Sequence, residues 1–194
     1  MLHEQIKSAT SIDHQNTEKH SYGQEIMSRT LTKEQYTQLL IANYRYIAAW
    51  EGQWASSGSF DLTPLQLELR SKKSLLETDL RSLNIDPVSI QLCTIESPKN
   101  KPEYLGRMYV VEGSTLGGAM IQKQLKLNPN LEGCTFNFYG GYGANLIPFW
   151  KAFLTELNTI VDEDQQQQSI LWAKKCFNDM EDCFLHARSR TYQS

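Results

Sequence analysis

Residues 104–125, YLGRMYVVEGSTLGGAMIQKQL, decide how the rest of the chain is read. Leu105, Met108, Tyr109, Val111, Leu116, Met120, Ile121 and Leu125 recur at helical spacing, so the stretch predicts one long helix. Yet its middle holds Gly113, Gly117 and Gly118. A glycine inside a helix costs about 1 kcal/mol against alanine, so three remove about 3 kcal/mol of local propensity. Two explanations fit. Either a neighbouring helix comes very close, or a flat ligand lies against backbone where side chains are missing. The stretch alone does not choose between them.

The surrounding chain narrows the options. Its 194 residues are 40% apolar and 21% charged, with a net charge of −3, the composition of an ordinary globular domain. The mild acidity argues against a nucleic-acid binder, which carries a basic excess. No apolar run reaches the ~18 residues of a membrane span, and the start of the chain has no signal-peptide core. The expectation is a cytoplasmic protein. Cys93, Cys134, Cys176 and Cys183 form no C-x-x-C pair, and Cys176 and Cys183 would stand about two helical turns apart. All four are read as buried or neutral thiols.

Outward from the glycine stretch, helical signals fill both flanks. Residues 2–18 read as an amphipathic first helix with His14 and Glu18 one turn apart on one face. A short helix follows at Gly23–Ser28. Thr32-Lys-Glu-Gln35 is a capping box that opens a long apolar-periodic helix to about Trp54. Ser56–Ser59 is a loop, and Thr63-Pro64 opens a helix to about Leu83. Pro98 and Pro102 mark an irregular connection. Cys134–Tyr142 alternates as a short strand could, but no partner strand exists for it. Pro148 starts a helix to about Val161, Asp162–Gln168 is a polar joint, and Ser169–Arg188 is the last helix, followed by a frayed tail. The fold expected is a single all-α domain over residues 1–194.

Little in this chain matches a known reaction motif. There is no H-E-x-x-H, no phosphate loop and no G-x-S-x-G. His3, His20 and His186 sit among polar residues and read as solvated. His14 differs: a histidine on a helix with a glutamate one turn on resembles an axial ligand whose second ring nitrogen has an acceptor. A partly buried, satisfied histidine fits the same pattern.

A single histidine on one helix and a glycine-softened helix elsewhere could sandwich a planar macrocycle, and here the chain resembles the heme oxygenase family. Lys7–Glu18, K-S-A-T-S-I-D-H-Q-N-T-E, is similar to that family's proximal helix, K-x-A-T-x-x-x-H-x-x-x-E. Tyr109–Gly118, YVVEGSTLGG, resembles its distal helix, nearest the bacterial E-G-S-x-L-G form. Phe138–Phe153 and Ala173–Phe177 also resemble bacterial members, so the likeness covers nearly the whole chain.

The resemblance implies a heme-oxygenase-like helical bundle that opens heme to biliverdin, releasing carbon monoxide and Fe(II), with dioxygen and electrons from a ferredoxin or reductase. His14 would ligate the iron, with Glu18 as its hydrogen-bond partner. Lys7, Tyr109 and Lys151 would meet the heme propionates, although plain solvated charges also account for the two lysines. Gly113, Gly117 and Gly118 would leave room on the distal face. Ser114 stands where animal members have an aspartate, so ordered water would deliver protons. Lys73 and Asp79, in KSLLETD, would join a distal water network. A bilin-using photoreceptor is an implied downstream partner; no nucleic acid or membrane is. Two rival readings are a heme carrier without turnover and a thiaminase-like hydrolase on the same scaffold. The second needs an activated cysteine, and none of the four has such a setting.

Overall fold

The computed structural model of the chain describes residues 1–54 and 60–189, so the expected loop at Ser56–Ser59 and the residues after Ser189 lie outside it. The described residues form helices and connections, with no strand. The first expected helix is two: α1 (Leu2–Ala9) and α2 (Ser11–His20). The break falls at Thr10, whose φ and ψ are −109° and 10°. Its hydroxyl donates to the Ile6 carbonyl at 2.8 Å, a local bond that competes with the helical ladder. α1 buries Leu2 and Ile6, whereas α2 buries only Thr17 and keeps most of its surface exposed. α3 (Gly23–Ser28) follows as expected.

α4 (Lys33–Gly52) begins where the capping box places it. The Gln35 amide donates to Thr32 Oγ1 at 3.1 Å, and Thr32 N donates to Gln35 Oε1 at 2.9 Å. Thirteen of its residues are buried on all sides, so α4 is the central helix of the core.

The expected helix from Thr63 to Leu83 is mostly unwound. Two 3-10 turns, Thr63–Leu65 and Leu67–Arg70, precede α5 (Lys73–Ser82). Gln66 takes a left-handed conformation (φ 49°), and Ser71 is extended. The physical reason is tertiary: Arg70 and Lys72 turn inward to buried partners, which overrides their helical propensity.

The glycine stretch itself is α6 (Lys101–Gly113), a 3-10 turn (Ser114–Gly117) and α7 (Gly118–Lys126). Asn100 caps α6 by accepting from the Glu103 amide at 3.0 Å. The doubtful strand is a short turn of helix, α8 (Asn137–Gly140), and α9 (Leu146–Leu157) starts just before Pro148. The polar joint is helical. α10 (Glu163–Arg188) opens with it, capped by Asp162, because glutamines propagate a helix well.

α10 is the common support: α6, α4 and α2 all pack along it. The closest crossing is with α6, where a Cβ on Gly106 would lie 2.2 Å from the Ser169 carbonyl oxygen. The reading of four thiols is corrected here. Cys93, in the irregular 90–100 connection, forms a disulfide with Cys183 on α10, and only Cys134 and Cys176 are free. The pair is 90 residues apart in sequence, which spacing within one helix could not suggest.

Candidate functional site

His14 stands on the exposed side of α2, with its side chain 58% accessible. Its Nδ1 is 3.7 Å from Glu18 Oε2. The next helical turn thus puts an acceptor beside one ring nitrogen and leaves Nε2 for a ligand. The imidazole stands edge-on to the buried Phe177 of α10, with centroids 5.7 Å apart, which limits how the ring can turn. Exposed as this contact is, it orients the ring more than it stabilises the fold.

The glycines of the other half divide by what surrounds them. A Cβ on Gly117 would meet nothing within 4 Å, and one on Gly113 would touch only the Trp150 ring at 3.9 Å. A Cβ on Gly118 would lie 2.8 Å from the Tyr139 carbonyl oxygen. Both explanations of the glycines therefore hold, at different positions. Gly118 lets α8 approach, whereas Gly117 faces open space beside the exposed Leu116 and Met120. The Ser114 hydroxyl donates to the Val111 carbonyl at 2.9 Å and so is engaged within its own turn. α2 packs on α1, α3 and α10 but shares no extensive contact with the Ser114–Lys126 segment. α3 packs on both α2 and α7, so the histidine face and the glycine face are joined through α3 as well as through the common support of α10.

Lys7 on α1 and Lys151 on α9 are exposed, and α9 packs against both α1 and α6. Tyr109 of α6 is half-buried against Trp150 and Phe153 of α9, with ring centroids 5.8 and 6.5 Å away. Burial raises its phenol above the usual tyrosine range, so it keeps its proton and donates.

Other expected residues have different work. Asp79 is fully buried, and its carboxylate accepts from Thr135 Oγ1, Asn137 N, Asn137 Nδ2 and Phe138 N at 2.7–3.0 Å. It caps α8. Lys73 is exposed and pairs with Glu77 at 3.8 Å. His20 is not simply solvated, since its Nδ1 is 2.8 Å from Glu181 Oε1, and His3 and His186 are half-buried.

What sequence reasoning missed lies directly behind the glycines. Glu112, adjoining Gly113, is buried and ion-paired to Arg70 Nη1. Its Oε1 accepts from Tyr142 OH at 2.6 Å and lies 3.4 Å from Lys72 Nζ. Glu51 accepts from Ser71 Oγ and from the Lys72 amide, each at 2.6 Å. Arg70 and Lys72 thus share the buried Glu112 carboxylate, with the half-buried Glu51 beside them, the pairing that buried charges require. One signal was available: a lone acid, Glu112, in the apolar run Tyr109–Val111 immediately before a glycine.

The Heme oxygenase family model matches residues 1–185. The chain belongs to the heme oxygenase family. No curated protein sequence matches it. Among solved structures, the NO- and CO-bound heme oxygenase from Neisseria meningitidis aligns with a TM-score of 0.74 at 21% identity, covering 100% of this chain and 95% of that one. Heme oxygenase from Leptospira interrogans aligns at 0.78 and 20% identity, covering 95% of this chain and 98% of that one. At such identities the likeness carries the fold, and it agrees with the all-α architecture. Membership of the heme oxygenase family makes the chain an oxidoreductase of heme degradation, a reaction that yields biliverdin and frees iron. No described helix is long and apolar enough to cross a membrane.

Proposed function

We propose that heme lies between α2 and the Gly113–Gly118 segment, with His14 as the iron ligand. The observation that carries this is His14, exposed on α2 with Glu18 3.7 Å from its Nδ1, and the open glycine turn that α3 links to the same helix. The residues fit the group: a flat macrocycle needs one basic nitrogen on one side and a side-chain-free surface on the other. Heme is at once substrate and source of the redox chemistry, its iron activating dioxygen and its ring being the bond that is opened.

The chain's own residues supply position. Glu18, 3.7 Å from Nδ1, is the acceptor that side of the ring can turn to, which leaves Nε2 for the iron. Phe177 restricts the ring. Lys7 and Lys151 offer ammonium groups to the propionates, and Tyr109 offers a protonated hydroxyl from α6. Gly113 and Gly117 keep side chains off the distal face. Gly118 does so indirectly, by setting how closely α8 approaches α7. With the Ser114 hydroxyl engaged by Val111, water is the proton carrier at that face. Such positioning of one ring edge chooses the carbon attacked.

The same reading extends the domain over residues 1–194, takes electrons from a ferredoxin or reductase, and works in the cytoplasm. The bilin product is chemically suited to a photoreceptor downstream. The test is a spectrum of the purified protein with hemin, for wild type and His14→Ala, before and after a reductant is added in air. A Soret band that requires His14 and decays to a bilin spectrum supports the assignment. A wild-type band that ignores the substitution overturns His14 as ligand, and one that never decays leaves heme binding without turnover.

A further inference from the structure

The turn at Ser114–Gly117 does not arise from a change of backbone region. Gly113, Ser114, Gly117 and Gly118 all keep right-handed helical angles, between φ −80°, ψ −14° and φ −56°, ψ −44°. What changes is the destination of the carbonyls. The α-helical ladder runs as far as the Ser114 amide, which reaches the Val110 carbonyl. The next bond would need the Val111 carbonyl. That oxygen accepts Lys72 Nζ at 2.8 Å and Ser114 Oγ at 2.9 Å. Beyond it the ladder shortens, and the Gly118 amide reaches Thr115 O.

Serine and threonine hydroxyls that bond back to their own helix are local and compatible with an α-helix. Lys72 is different, because it enters from the segment before α5. It is buried and fixed at both ends. Its amide donates to Glu51 at 2.6 Å, and its ammonium lies 3.4 Å from Glu112 Oε1 and 5.1 Å above the Tyr142 ring. A side chain inserted into the i→i−4 ladder is a recognised cause of a helix kink.

We propose that Lys72 is the positioning residue of the distal face: its ammonium holds the Val111 carbonyl out of the ladder and so maintains the 3-10 turn that turns Gly117 toward open space. This rests on the Gly113–Gly118 segment being the distal wall of a heme site, but the turn can be measured without heme. The variants are Lys72→Met, which keeps the stem and removes the donor, and Lys72→Met with Glu112→Gln, which removes one buried charge of each sign.

In heme-free protein, amide exchange resolved by NMR is expected to slow on the order of tenfold at Thr115 in both variants, as its amide takes the released Val111 carbonyl. A medium-range contact between Val111 Hα and the Thr115 amide would accompany it, the mark of an α-helical turn. With hemin and reductant, the ratio of bilin isomers shifts in the same variants. Thr115 exchange at the wild-type rate in the double variant would overturn the proposal, and so would its return to that rate when the charges are rebalanced. Should wild type bind no hemin, the heme reading falls while the exchange data still judge Lys72.

Discussion

Gly106 and Ser169 meet so closely that a methyl group on the first would stand 2.2 Å from the carbonyl oxygen of the second. The obstacle is backbone, held further by the Ser169 hydroxyl donating to the Pro102 carbonyl at 2.8 Å. Gly106→Ala must push α6 off α10, and a loss of about 3 kcal/mol is expected in urea unfolding of the heme-free protein. Gly117→Ala is the counterpart. With nothing within 4 Å of the new methyl, heme-free stability should hold or rise by up to about 1 kcal/mol, while hemin affinity falls. A Gly117→Ala protein that is both less stable and unchanged in hemin titration would contradict the division of the glycines.

His14→Ala should separate binding from folding. Its side chain is 58% accessible, so unfolding free energy should shift by no more than about 0.5 kcal/mol. Hemin absorbance, by contrast, should lose its axial-ligand signature and regain it when imidazole is added. Failure of imidazole to restore the band would place the ligand elsewhere.

The buried charges predict a non-additive pair. Arg70→Met leaves Glu112 with Lys72 as its remaining ion-pair partner and should remove about 3 kcal/mol. Glu112→Leu alone strands both Arg70 and Lys72, whereas with Arg70→Met it strands only Lys72, so the double variant should lose less than the sum of the two single effects in the same urea titration. A double variant that loses the sum of the two single effects would show that the residues act independently.

Thiol counting tests the disulfide. Denatured without reductant, freshly purified protein should show two reactive thiols, and four once reduced. Native protein at pH 8 should react only at Cys134. Burial pushes the Cys176 thiol up to about 12, so its thiolate is scarce until the pH approaches that value. Four thiols before reduction would remove the Cys93–Cys183 bridge and agree with a reducing cytoplasm, where such bonds are uncommon.

Legibility followed the range of the interactions. The Thr32–Gln35 capping box, the helical periods and the His14–Glu18 spacing are written within four residues of themselves, and each was readable. The unwinding of residues 63–72 was not, because its cause is Glu112, 42 residues away along the chain from Arg70. The partners of Asp79 were equally out of reach: its four hydrogen bonds go to residues 135–138, 56–59 residues along the chain. The glycine run announced that something comes close to the backbone. Only the neighbours of each glycine told a helix from an opening.

α2 and α6 are both fastened to α10, and α3 bridges α2 to α7. The exposed His14 and the open Gly117 therefore lie at the margin of the protein rather than in its core, where side chains can shift while the interior stays intact. That suits a reaction whose rigid, flat starting material becomes a flexible open chain, since the product must leave by a way its precursor could not bend to follow.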